Sequence, residues 1–328
     1  MKAVIIQQAG GPEHLHIGEW PTPTPASHEL LVRVHTTAAN RADTLQRKGF
    51  YPPPPGASPI LGLEMAGEVV SFGPACSRFE IGQRVCGLLA GGGHAEYVVI
   101  HEELAIPIPD VMTYEEAAAI PEVFLTAYQA LDLLGQFKAG ENLLIHAGAS
   151  GVGTAAIQLA REMGASDILI TASAPKHELC RSLGANVCID YKQQDFAKEI
   201  DVHTNGRGVN LIIDFIAAPY LNQNLSSLAM EGRMILLALM GGTRPEDLNM
   251  APILRKRLQI IGSTLRARAL DYKIDLTRRF TDFAWPRFQN GSLRAVIDRV
   301  VSWEDISEAH RAMEANENAG KIVLRVRA

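Results

Sequence analysis

Residues 142–160, NLLIHAGASGVGTAAIQLA, carry the strongest chemical pattern in the chain: an apolar run, then Gly148-Ala149-Ser150-Gly151-Val152-Gly153, then an amphipathic segment. A strand that ends in such a turn and restarts as a helix is a phosphate cradle. Gly148 is expected to allow the sharp turn, Gly151 and Gly153 to let backbone and helix approach closely, and the unpaired N–H groups of the helix start to hold a pyrophosphate. Ser150 stands where the common GxGxxG pattern has its middle glycine. A merely tight strand-to-helix turn is the plainer reading. The strand before, the helix after and the alternating pattern beyond favour a dinucleotide site over it.

About 20 residues farther on, an acid would bind the adenosine ribose hydroxyls. The residues there are Thr171-Ala172-Ser173-Ala174-Pro175-Lys176, without an acid. A carboxylate would repel a ribose 2′-phosphate, whereas Ser173 can donate to one and Lys176 can neutralise it, so NADPH is expected rather than NADH. Lys176 is equally readable as a solvated lysine at a helix start.

Metal chemistry has little to stand on. The four cysteines, 76, 86, 180 and 188, form no CxxC pair, and no histidine pair has HExxH spacing; no metal site is expected. His14 and His16 would share one solvated strand face, and the cysteines are read as small buried hydrophobes. The run Pro52–Pro55 is stiff and pushes Tyr51 out of helical conformation, so Tyr51 is expected on a rigid loop.

These residues need a scaffold to hold them. At 328 residues two domains are expected. A hydrophobic content of 47% excludes a disordered chain, and a net charge of −5 lacks the basic excess of nucleic-acid or anionic-membrane binders. Apolar runs are too short to span a bilayer, and MKAVIIQQAGG is too short in its apolar part for a secretory signal, so a cytoplasmic protein is expected. Up to about residue 110 the texture is of short strands (Lys2–Ile6, Glu29–Thr36, Glu64–Phe72, Arg84–Leu89, Ala95–Ile100) broken by glycine and proline. A helix over Tyr114–Leu134 follows. Beyond it strands near residues 142–146, 167–172, 187–189, 210–214, 233–237 and 259–263 alternate with helices, which requires a parallel sheet wrapped by helices. After about residue 265 the texture is mixed and ends in a strand over Gly320–Val326, expected to pack back on the first domain.

The strings AANRADTLQRKGFYPPPPGASPILGLEMAGEV, AAAIPEVFLTAY, HAGASGVGTAAIQLA and NENAGKIVL resemble those of the zinc-free medium-chain dehydrogenases/reductases, specifically the quinone oxidoreductases, and among these the branch induced by the tumour suppressor in animals. The resemblance implies an α/β protein with a GroES-like β-rich catalytic domain (1–122), a Rossmann doubly wound parallel-sheet domain (123–264) binding NADPH, and a C-terminal segment (265–328) returning to the catalytic domain. In zinc-containing relatives the metal ligands fall at Asn40, Leu63 and near Glu122, which here do not make a zinc site, although Glu64 of the GHE motif remains.

Without a Lewis acid the acceptor should already be electron-poor. The resemblance therefore implies NADPH-dependent reduction of a quinone, with one-electron output to semiquinones one version of it. Reduction of α,β-unsaturated ketones or aldehydes is the alternative, and a non-catalytic dinucleotide- or RNA-binding protein the rival of another class. Asn40 and Asp43 are assigned to a polar network beside the nicotinamide, Tyr51 to the acceptor, and Ser150 to the site or to a turn hydrogen bond. Thr126 is implied to face the nicotinamide and Tyr191 to lie at the 2′-phosphate end. Phe215 and Ile216 to Ala217, with Met240, Gly241 and Gly242, are implied to close over the coenzyme, and Asn318 to sit where the last strand returns. Ala217-Ala218 departs from the glycines usual there, and a β-carbon takes up room. The strand near residues 259–263 reads as a sheet edge through which a homodimer forms, and Arg255-Lys256-Arg257 as a solvated charged turn rather than a nucleic-acid patch.

Overall fold

The computed structural model describes residues 1–327. In chain order its strands are β1 Lys2–Ile6, β2 Leu15–Glu19, β3 Glu29–Ala39, β4 Glu64–Phe72, β5 Arg84–Leu88, β6 Tyr97–His101, β7 Ala105–Pro107, β8 Asn142–Ile145, β9 Asp167–Ala172, β10 Val187–Asp190, β11 Val209–Asp214, β12 Leu228–Leu236, β13 Gln259–Gly262, β14 Ile297–Ser302 and β15 Lys321–Arg325. The helices are α1 Arg41–Arg47, α2 Tyr114–Ala118, α3 Pro121–Tyr128, α4 Gly151–Glu162, α5 His177–Leu183, α6 Phe196–His203, α7 Leu221–Ser227, α8 Ala251–Arg255, α9 Leu270–Gln289 and α10 Ile306–Glu314. Two compact units result, residues 1–125 with 265–327 and residues 126–264.

In the first unit a sheet of order β14-β15-β3-β4-β5-β7, with β6 also on β3, is organised around β3. Leu30, Val32 and Val34 alternate inward along β3 and pack on Met65, Val69, Val85 and Val98, as the two-residue period of a half-buried strand requires. The last strand, β15, runs antiparallel to the end of β3 with Ile322 opposite Ala39. That register carries Lys321 to the start of α1.

The second unit is an all-parallel six-stranded sheet of order β10-β9-β8-β11-β12-β13. Its central strands are apolar without alternation, Leu143, Leu144 and Ile145 beside Leu211, Ile212 and Ile213, all fully buried, because helices cover both faces. Chain order reverses direction between β8 and β11, so the crevice at their C-terminal ends is where such a sheet takes a ligand.

The structure corrects several expectations. The helix expected over 114–134 is broken: α2 ends at Ala118, α3 starts at Pro121, and residues 129–134 form a π-helical turn. Proline has no N–H to continue the first helix and suits the first position of the next. The mixed region after 265 contains the 20-residue helix α9, whose Leu276, Phe280 and Ala284 recur every four residues on its buried face. Cys76 and Cys188 are only half-buried, unlike Cys86 and Cys180. His14 closes a short 3-10 turn and only His16 lies on a strand.

Candidate coenzyme and acceptor site

The glycine turn follows β8. The left-handed backbone conformation falls on Ala147 (φ 49°), not on Gly148, which corrects the expected role of Gly148. Gly148 is required for closeness instead: a β-carbon there would stand 2.7 Å from Cβ of Ile170 on β9, and one on Gly153 would stand 2.4 Å from the Ala147 carbonyl oxygen. Ser150 caps α4, its hydroxyl accepting from the Gly153 N–H at 3.0 Å. That cap leaves the Gly151 and Val152 N–H groups at the helix start without an acceptor inside the helix, beside buried Ala149. A turn packed this closely, with two backbone N–H groups left over at the positive end of a 12-residue helix, fits a dinucleotide pyrophosphate.

A buried polar chain braces this turn. The Thr171 hydroxyl lies 3.0 Å from His146 Nδ1, His146 Nε2 lies 2.8 Å from Asn224 Oδ1, and Asn224 Nδ2 donates to Asp214 Oδ2 at 3.1 Å. Since Asn224 Oδ1 only accepts, Nε2 carries the imidazole proton and Nδ1 accepts from Thr171. Burial holds His146 below the usual histidine range, which keeps it neutral. At the far end the Asp214 carboxylate accepts from the Ile216 N–H at 2.7 Å and the Ala217 N–H at 3.2 Å. Those two bonds hold Ala217 at φ 70° and ψ −115°. The neighbouring segment is tied on by Met240 N–H to the Phe215 carbonyl, 3.0 Å, and Gly241 N–H to the Ile216 carbonyl, 2.8 Å, with Gly242 next in line.

Past β9, Ala172 is buried and its carbonyl lies 3.0 Å from the His177 ring, while Ser173 and Lys176 are half-buried. Thr126 is half-buried on α3 and Tyr191 is 46% exposed after β10. Strand β13 is the sheet's edge, and Ile260 on it is 43% exposed. Of Arg255-Lys256-Arg257, Lys256 caps the Ser226 and Leu228 carbonyls at 2.7 Å each and Arg257 pairs with Glu231 at 2.9 Å.

Asn40 and Asp43 lie in the first unit. The Asn40 N–H donates to Asp43 Oδ2 at 2.8 Å, fixing the start of α1, and the other Asp43 oxygen accepts from the Gly62 N–H at 3.0 Å. The Asn40 side chain turns away from this cap. Its Nδ2 donates to Glu64 Oε1 at 2.8 Å and its Oδ1 accepts from Lys321 Nζ at 2.6 Å; Lys321 also lies 2.7 Å from Glu64 Oε1 and 3.1 Å from the Ala39 carbonyl. Asn318 sits in the turn before β15, donating to the Gly320 carbonyl at 2.7 Å. Tyr51 is half-buried with the Arg266 guanidinium 5.3 Å from its ring centre. Arg266 is itself held by the Ala90 carbonyl and Gln46 Oε1, both at 2.7 Å. Burial raises the Tyr51 hydroxyl's pKa; Arg266 opposes this and Glu122 adds to it.

These residues do not fit zinc. Leu63 offers no donor, and the lysine ammonium of Lys321 already occupies the space among Asn40 and Glu64, where it would repel a dication. Among the described residues no cluster of three or more histidine, cysteine, aspartate or glutamate side chains could hold a metal ion, and no helix is long and apolar enough to cross a membrane. Sequence reasoning missed Lys321, Arg266, Gln46 and the His146–Asn224–Asp214 chain. The signal for Lys321 was a lysine directly before the apolar run Ile322–Leu324; the others had none.

Comparison with known proteins matches the zinc-binding dehydrogenase family over residues 151–281 and the alcohol dehydrogenase GroES-like domain over residues 26–110. Quinone oxidoreductase of Rattus norvegicus is 28% identical over 99% of this chain and 97% of its own. Among solved structures, an NAD-dependent alcohol dehydrogenase superposes with a TM-score of 0.86 at 30% identity, covering 100% of both chains. CurK enoyl reductase superposes with 0.87 at 27% identity, covering 99% of this chain and 98% of its own. A mycobacterial protein complexed with NADPH gives 0.87 at 27%, covering 99% of this chain and 100% of its own. The second unit is thus a Rossmann-type dinucleotide-binding domain for NAD(P)H, and the first a GroES-like domain. Similarity of this extent, covering nearly the whole chain, means that the chain belongs to the medium-chain dehydrogenase/reductase family of oxidoreductases and is related within it to the quinone oxidoreductases.

Proposed function

We propose that this protein is a metal-independent, NADPH-dependent reductase of conjugated carbonyl compounds, with α,β-unsaturated ketones and aldehydes as the principal acceptors and quinones as the second class. The observation that carries the reading is the Lys321–Asn40–Glu64 cluster: a fixed internal cation and its partners stand where a metal would have to bind. An acceptor polarised by its own conjugation needs no Lewis acid, only positioning and exclusion of water. The likeness to CurK enoyl reductase supports the enone over the quinone; the likeness to the rat enzyme and the Tyr51 loop string support the quinone and the tumour-suppressor-inducible branch.

In this reading Gly148 to Gly153 hold the pyrophosphate, Ser173 and Lys176 bind the 2′-phosphate, and Phe215 to Ala217 with Met240 to Gly242 lie over the coenzyme, as Thr126 and Tyr191 do at its two ends. Bound dihydronicotinamide supplies the hydride. The Tyr51 hydroxyl, kept protonated by burial, donates to the acceptor's carbonyl oxygen, and Arg266 holds the phenol ring in place. Asn40 and Asp43 position the floor of the site. The exposed edge strand β13 pairs with its copy in a homodimer, the location is cytoplasmic, and nucleic acid is not the partner.

The test is NADPH oxidation with a panel of enones, enals, ortho-quinones and para-quinones. Enone or enal turnover is expected, with Tyr51→Phe lowering kcat and leaving NADPH affinity unchanged. Tight NADPH binding without turnover of any acceptor would instead mark a non-catalytic binder.

A further inference from the structure

The carboxylates gathered around Lys321 are not equivalent. Both Glu64 oxygens are engaged, one by Asn40 and Lys321 and the other by the Glu122 backbone N–H at 2.9 Å. Both Asp43 oxygens accept backbone N–H groups. Lys321 has a partner for each of its three protons. Glu122, the second residue of α3, is half-buried over this cluster, and among the described residues its carboxyl has neither a hydrogen-bond donor nor an ion-pair partner. A group placed in the middle of a charged cluster and left out of its bonding is free to bind something else. We propose that the Glu122 carboxyl is the acid that protonates the reduced acceptor, a catalytic role that rests on the conjugated-carbonyl reading above.

The surroundings suit an acid. A glutamate in a first helical turn ordinarily stays ionised, favoured by the helix dipole. Here the groups facing Glu122 are Lys321 on β15, Glu64 on β4, Asp43 on α1 and Tyr51 on the proline loop, with Arg266 beyond Tyr51. Burial is the main cause; the Lys321 ammonium opposes it, the Glu64 and Asp43 carboxylates reinforce it, and the carboxyl is pushed up to about 7. At neutral pH it exists in both forms, as a proton donor that must be recharged each cycle should. Glu122 also raises the Tyr51 hydroxyl's pKa, so the two groups act on each other.

In the step itself, a hydride from a dihydronicotinamide dinucleotide forms the new C–H bond at the acceptor's β-carbon, and the coenzyme is oxidised by two electrons. The C=C pair moves toward the α-carbon. There it takes the proton as the Glu122 O–H bond breaks, and water reprotonates the carboxylate. Tyr51 holds the carbonyl oxygen throughout.

The test uses the NADPH-loaded enzyme with cinnamaldehyde and α-methylcinnamaldehyde, comparing wild type, Glu122→Gln and Glu122→Asp. The wild-type kcat should fall tenfold per pH unit above about 7, and the α-methyl product should have one handedness. Glu122→Gln should lower kcat by about 10²–10⁴-fold, lose the alkaline limb and scramble the α-carbon, because solvent then protonates either face; Glu122→Asp should restore limb and handedness. Infrared pH titration of the protein without coenzyme should show a carboxyl band lost near pH 7 in wild type and absent in Glu122→Gln. Wild-type kcat and handedness in Glu122→Gln, or a carboxyl band that persists in that variant, would overturn the acid assignment. Failure of the wild type to reduce any acceptor would defeat the functional reading instead, and the infrared band is read independently of that.

Discussion

Replacing Lys321 with methionine isolates what the internal cation does. Lys321 is 3% exposed and Glu64 fully buried, with the ammonium 2.7 Å from the carboxylate. Methionine keeps the length of the stem and removes the charge, leaving Glu64 with Asn40 Nδ2 and the Glu122 N–H as its donors. Breaking a buried pair by removing one partner costs about 3–5 kcal/mol, because the surviving charge is stranded away from water. For a unit of this size each kcal/mol lowers Tm by about 2–4 °C, so thermal unfolding should move down by roughly 6–20 °C. The double variant Lys321→Met/Glu64→Leu removes both charges and should recover much of that loss. Thermal and urea unfolding of the four proteins of the cycle would measure the coupling. A loss below about 1 kcal/mol for Lys321→Met, or a double variant weaker than the sum of the singles, would refute the view that the pair is an enclosed unit standing in for a metal.

Lys176→Ala should weaken NADPH by about 1.5–3 kcal/mol and leave NADH unchanged, the worth of a hydrogen bond to a charged group; equal losses by isothermal titration would remove Lys176 from the phosphate end. Asn224→Leu strands the His146 Nε2–H and takes one of its donors from the Asp214 carboxylate, which keeps the Ile216 and Ala217 N–H groups; the orphaned donor should cost about 1–3 kcal/mol. It should also raise the KM for NADPH more than it changes kcat; an unchanged KM would separate the buried chain from the coenzyme loops. Ala217→Gly should raise stability by roughly 1 kcal/mol, the relief of a sparsely populated backbone conformation less the entropy that glycine adds to the unfolded chain. A lower Tm would show that Asp214 holds Ala217 without strain.

The strand-turn-helix around Gly148 was legible because everything it needs is local. An apolar run of strand length, small residues at fixed offsets and a helical period after them all lie within residues 142–160. The parallel sheet was legible for the same reason, since each strand announces itself by its own apolarity. Even there the division of labour inside the turn was not: the φ value fell to Ala147 and the close packing against Ile170 to Gly148, because which residue bends depends on how near β9 lies. The interruption at Pro121 is local chemistry that the surrounding helical period masked. Helix α9 was hidden by the charges along its exposed face, such as Asp275, Arg278 and Arg279.

The acceptor side was legible only in part. Asn40, Asp43 and Tyr51 stand within a dozen residues of one another and could be noticed together. Lys321 joins Asn40 across 281 positions, and Arg266 joins Gln46 across 220. Strand pairing and packing bring these partners together, and neither leaves a periodic trace in the chain. The residues by themselves determined which segments become strands and helices and where a phosphate can be cradled, since backbone preference and burial act over a few neighbours. Only the tertiary structure decided which carboxylate keeps a partner and which is left without one, because charge and desolvation act through space between side chains that the sequence sets far apart.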